Sequence, residues 1–115
     1  RLINLDNIGM KLHLKSTNLE ITPSLQNYFE KKIGSLERFL KQWSKEGVVE
    51  VWAELARTTK HHRSGEVFRA EADIRLPGKI LRAEAKAEDI RLTIDLVRGK
   101  LFGEIKKYKT KRLKR

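Results

Sequence analysis

Three runs of alternating polarity follow one another in the middle of the chain, and few folds accommodate them. In VVEVWAEL, Val49, Val51, Ala53 and Leu55 take one face and Val48, Glu50, Trp52 and Glu54 the other. In VFRAEADIRL, Phe68, Ala70, Ala72, Ile74 and Leu76 alternate with Arg69, Glu71, Asp73 and Arg75. In ILRAEAKA, Leu81, Ala83, Ala85 and Ala87 alternate with Arg82, Glu84 and Lys86. A period of two is that of a strand buried on one face only. The connections are a polar loop, ARTTKHHRSGE, and a Pro77-Gly78 turn signal, so the three runs predict an antiparallel meander with one covered face. Small alanines on the covered side let a helix come close.

Two segments can supply that cover. In EITPSLQNYFEKKIGSLERFLKQW, Thr22 is placed to cap a helix and Pro23 to occupy its first position, where a missing N–H loses nothing. Leu25, Phe29, Ile33, Leu36, Leu40 and Trp43 then recur at helical spacing, which predicts one helix with an apolar stripe through to Trp43. Lys31, Arg38 and Lys45 form a row nearly opposite that stripe. Gly34 lies inside this helix at a cost of about 1 kcal/mol relative to Ala, so packing must hold it. The last segment, from Glu88 to Arg115, carries a second stripe at Ile90, Ile94, Val97, Leu101, Ile105 and Tyr108. From Arg98 onward it holds nine Lys or Arg and one acid, Glu104.

A further alternating run, KLHLKS, places Leu12 and Leu14 inward and Lys11, His13 and Lys15 outward. The predicted order is therefore β-α-β-β-β-α. It describes an α+β fold of two layers, a four-stranded sheet with two helices packed on one face. Residues 10–111 form the domain, residues 1–9 read as a leader or extension without a clear period, and residues 112–115 read as a basic tail.

Composition limits what such a domain does. At 115 residues the chain is long enough to bury roughly two-thirds of its unfolded surface. It has no cysteine, which excludes disulfides and thiolate metal sites. His13 has no partner ligand two residues on, and no metal or cofactor is expected. His61 and His62 beside Glu66 make no HExxH motif, and no nucleophile elbow or phosphate loop is present, so no catalytic residues are expected. No apolar run approaches a membrane span, and the chain reads as a cytoplasmic protein with no membrane partner and no small-molecule substrate. The formal net charge is +11, unevenly placed: residues 1–56 hold eight basic and seven acidic side chains, residues 57–115 eighteen and eight. A one-sided field of that sign attracts polyanions.

The string LEITPSLQNYFEKKIGSLERFL, followed by VFRAEADIRLPGKILRAEAKAEDIRLTIDLVRGKLFGEIKKYKTK, resembles the ribosome hibernation promoting factor and ribosome-associated inhibitor family from Met10 to about Lys111. The matching pieces are the EITP helix start, the LER segment, the RAEA repeats around the PG turn, the ED pair before the last helix, and the ID, KL and KYK run within it. The resemblance implies a fold similar to double-stranded RNA-binding domains. It also implies a non-catalytic protein that binds ribosomal RNA in the messenger and transfer RNA channel of the small ribosomal subunit and silences idle ribosomes. Lys32 and Arg38 match basic positions of the family's first helix, Lys100, Lys107 and Lys109 those of its second, and Asp89 the acid that opens it. Gln26, Ser35 and Gly103 depart from positions often basic in the family, and Arg91 from a usual aromatic.

The expected RNA-binding set is Lys31, Lys32, Arg38, Arg91, Arg98, Lys100, Lys106, Lys107, Lys109 and Lys111. The long form in this family has a second, dimerising domain, so the chain is expected to be a short form or the N-terminal piece of a long one, monomeric off the ribosome. A generic double-stranded RNA-binding module is the alternative reading. A membrane-surface role is weaker, because the basic helix lacks a large exposed aromatic face. Few aromatics stand outside the stripes, and single-strand binding on a stacking platform is not expected.

Overall fold

A computed structural model describes residues 2–4, 10–44, 49–58 and 67–113. Five strands form one sheet in sequence order: β1 (Leu2–Asn4), β2 (Met10–Thr17), β3 (Val49–Arg57), β4 (Phe68–Leu76) and β5 (Lys79–Ala87). The helices are α1 (Pro23–Gly34), a short α2 (Lys41–Ser44) and α3 (Ile90–Leu113). The meander is present: β3 pairs antiparallel with β4, and β4 with β5. β2 pairs parallel with β3, the direction that a helical crossover between them requires. Pro77 and Gly78 make the β4–β5 turn, with Gly78 at φ 75°, a conformation open to glycine at no steric cost.

The sheet has five strands where the periodicity predicted four. β1 pairs antiparallel with β2, Ile3 opposite Leu14 and Asn4 opposite His13. Three residues are too few to display a period, and this strand is set by its partner: Ile3 packs on the core. His13 Nδ1 lies 2.9 Å from Asn4 Oδ1.

The first helix is also shorter than its stripe predicted. α1 begins as expected, with the Leu25 N–H donating to Thr22 Oγ1 at 3.1 Å and Pro23 in the first turn. It ends at Gly34, and Ser35–Phe39 continues as a 3-10 helix before α2. The poor helix former Gly34 is followed by Ser35, whose hydroxyl donates to the Lys32 carbonyl at 2.6 Å. The apolar register survives the break, since Leu36, Leu40 and Trp43 are all buried. Lys45, the third member of the predicted basic row, and the 59–66 part of the polar loop lie outside the described residues.

The core lies between the sheet and the helices. Leu12, Leu14, Val51, Leu55, Ala70, Ala72, Ile74, Leu81, Ala83 and Ala85 come from the sheet, and Ile94, Val97, Leu101 and Ile105 from α3. α3 packs over β4 and β5, where the alanines stand, and α1 packs beside it. Asp89 starts α3 by accepting the Leu92 N–H at 2.9 Å, where a carboxylate also meets the positive end of the helix dipole. Among the described residues no helix is long and apolar enough to cross a membrane.

Candidate nucleic-acid interface

The site follows from the packing of α1 beside α3. With their apolar stripes turned to the sheet, the flanks of the two helices meet in a seam on the outer surface, which the cations of both helices border. At one end Tyr28 donates its hydroxyl to Asp95 Oδ1 at 2.7 Å, and Lys32 Nζ stands 3.6 Å from the same carboxylate oxygen. Arg91 reaches across the seam to Ser24 Oγ at 2.9 Å, its guanidinium 5.5 Å from the Tyr28 ring. The Asp95 hydrogen bond, then burial and the carboxylate charge, hold the Tyr28 phenol above its ordinary value near 10.

Midway, Arg98 Nε donates to Ser35 Oγ at 3.2 Å. Lys31, Lys32, Ser35, Asp95, Arg98 and Gly99 line a cleft of about 480 Å³ here. At the far end Phe39 and Phe102 meet with centroids 4.8 Å apart and planes tilted by 54°. Arg38 and Lys109 lie over the Phe39 ring at 4.7 and 5.9 Å, and Arg98 and Lys106 over the Phe102 ring at 5.5 and 5.4 Å.

The ten expected residues thus divide. Lys32, Arg38, Arg91, Arg98, Lys106 and Lys109 border the seam through the contacts above, and Lys31 lines its central cleft. Lys100 and Lys107 stand on the other flank of α3, by β5: with Arg82, Ala83, Glu84, Gly103 and Glu104 they line a second cleft. Lys100 Nζ donates to the Glu84 carbonyl at 2.7 Å, placing a charge on the edge strand, where it discourages pairing with another strand. Lys107 lies 3.4 Å from Glu104. Lys111 is exposed one turn beyond Lys107, beside Lys106 and Thr110.

Sequence reasoning missed Phe39 and Phe102. Neither falls on an apolar stripe, and that was the available signal: an aromatic residue about 100° round the helix from a core position must sit on a flank. Nor did the alternation show what the outward side chains of the sheet do together on its open face. There His13 stacks on Trp52 at 3.9 Å with its Nε2 3.0 Å from Glu50, and Arg75 lies 4.9 Å from the Trp52 ring. Among the described residues no group of three or more His, Cys, Asp or Glu is placed to hold a metal ion.

Residues 12–113 match the family described as Sigma 54 modulation protein / S30EA ribosomal protein. Two curated relatives are each named ribosome hibernation promotion factor. The one from Staphylococcus aureus (strain COL) is 32% identical over 102 residues, and the one from Bacillus subtilis (strain 168) is 33% identical over 102 residues. In each case the match covers 89% of this chain and 50% of the relative, so the chain spans about half the length of these proteins. Among solved structures, the Protein Y N-terminal domain of Thermus thermophilus aligns with a TM-score of 0.65 at 29% identity, covering 83% of this chain and 93% of that one. A ribosomal subunit interface protein from Coxiella burnetii aligns at 0.63 and 23% identity, over 84% and 97%, and supports the fold alone. The chain belongs to the Sigma 54 modulation protein / S30EA ribosomal protein family.

Proposed function

We propose that this chain binds the ribosome through the α1–α3 seam and holds idle ribosomes silent. The observation that carries the reading is the seam itself: seven cations, Lys31, Lys32, Arg38, Arg91, Arg98, Lys106 and Lys109, border a junction of two packed helices. Folded RNA is recognised largely by shape and phosphate contacts, so cations held on rigid helices suit it better than a base-reading motif. On this reading the domain is similar to double-stranded RNA-binding domains, and its ligand is small-subunit ribosomal RNA lining the messenger and transfer RNA channel. Inhibition is then steric. A domain occupying the channel keeps messenger and transfer RNA out without making or breaking a bond, acts in the cytoplasm, and works as a monomer off the ribosome. The names of the curated relatives support the ribosomal setting.

Sedimentation with purified small subunits tests this. The protein is expected to co-sediment at low salt, to compete with transfer RNA, and to lose roughly a thousandfold in affinity over a fourfold rise in salt if about seven phosphates are contacted. Equal or tighter binding to a plain RNA duplex would replace the ribosomal reading with a generic duplex-binding module.

A further inference from the structure

The far end of the seam does more than gather charge. Phe39 and Phe102 are half-buried, whereas Ile94, Leu101 and Ile105 of α3's inner stripe are in the core. A surface that only neutralised phosphates would need cations spaced over its area and no aromatic ring. Here two rings in contact carry four cations, Arg38, Arg98, Lys106 and Lys109, each within 6 Å of a ring centroid.

We propose that this end of the seam is a base-stacking seat: an unpaired RNA base stacks on Phe102, backed by Phe39 and flanked by the Arg98 guanidinium. The inference rests on the RNA-binding reading and refines it, from phosphate contacts alone to phosphate contacts plus one splayed-out base. Aromatic rings and guanidinium planes are the surfaces on which unpaired bases stack, and such stacking tolerates any base because each has a π-face. Lys106 is exposed on a flexible stem, so the base can displace its ammonium from the ring and leave it to meet the phosphate of the same nucleotide. Stacking and charge separate experimentally, because only the phosphate contacts release counterions and depend on salt.

The probes are two RNA hairpins of equal length and charge, one fully paired in its stem and one with a single bulged adenosine, titrated by fluorescence anisotropy. The protein is expected to prefer the bulged hairpin by about tenfold, within the range alanine substitution gives for one stacked base. Phe102→Leu should remove that preference and leave the slope of log K against log salt unchanged; Phe102→Tyr, which keeps the ring, should retain it. Lys106→Gln should lower the slope by somewhat less than one unit.

Equal binding of the two hairpins by the unaltered protein would overturn the proposal without any variant, as would a preference that survives in folded Phe102→Leu. Small-subunit sedimentation run in parallel separates the two readings. Loss of subunit binding with the bulge preference intact refutes the ribosomal reading alone. Subunit binding with no bulge preference refutes the stacking seat alone.

Discussion

The open face of the sheet and the α1–α3 seam both carry many cations, yet the groups beside them differ. On the sheet, Arg69 lies within 4 Å of Glu54, Glu71 and Glu84, Arg82 makes two hydrogen bonds to Asp73, and the Thr17 hydroxyl donates to Glu54. The Asp73 hydrogen bond, then its charge, raise the Arg82 pKa further above an already high value. In the seam the contacts of Arg38, Arg98 and Lys109 are to rings and hydroxyls, and Asp95 is the carboxylate at its upper end. What separates the two charged surfaces is therefore the groups beside these cations. Rings and hydroxyls orient a cation without neutralising it.

Charge reversal tests the contrast most severely. Arg38→Glu, Arg98→Glu and Lys106→Glu together should weaken small-subunit binding roughly a thousandfold, by removing three phosphate contacts and adding repulsion. Reversing Lys11, Lys15 and Arg75 on the sheet face should change it far less, and comparable losses in the two triple variants would abolish the distinction between the faces. A smaller effect comes through the packing that fixes the seam. Leu101 is fully buried beneath α3, and Leu101→Ala should cost about 2–5 kcal/mol in urea unfolding, with binding falling only as folded protein is lost.

Smaller again is the effect of Asp95. Asp95→Asn releases Lys32 from its 3.6 Å partner and should tighten RNA binding a few-fold at low salt, whereas Asp73→Asn on the sheet should leave binding unchanged. The smallest signal is a titration. Because the folded Tyr28 pKa is raised, its hydrogen bond to Asp95 contributes fully below the ordinary tyrosine value near 10 and is lost as pH rises through the raised value. Ultraviolet titration of the phenol should show that elevation, and Asp95→Asn should reduce it.

Much of this architecture could be read from the residues. The alternation in RAEADIRL and RAEAKA placed Ala70, Ala72, Ala83 and Ala85 under a helix, and all four are buried. Thr22 and Pro23 marked the start of α1, because a cap is a local hydrogen bond between near neighbours, and the family resemblance pointed to Asp89 as the acid that opens α3. β1 escaped because three residues show no period and are held by a strand distant in sequence. The end of α1 at Gly34 escaped because the apolar spacing continues through the 3-10 helix to Trp43. The cations could be named residue by residue, but which of them share a flank could not. Which flank of α3 faces α1 and which faces β5 depends on tertiary packing, and this alone separates Lys100 and Lys107 from Arg98 and Lys109. Phe39 and Phe102 were passed over for the same reason: their meaning lies in each other and in four cations from two helices.

The absence of cysteine from the chain permits a direct test of the proposal that the seam meets the ribosome. A photoreactive cross-linker attached through Ser35→Cys would stand in the middle of the seam, and through Glu71→Cys on the open sheet. With small subunits at low salt, the seam probe should cross-link to ribosomal RNA and be displaced by transfer RNA, while the sheet probe should give little RNA cross-link. Strong RNA cross-linking from Glu71→Cys and none from Ser35→Cys would contradict the account.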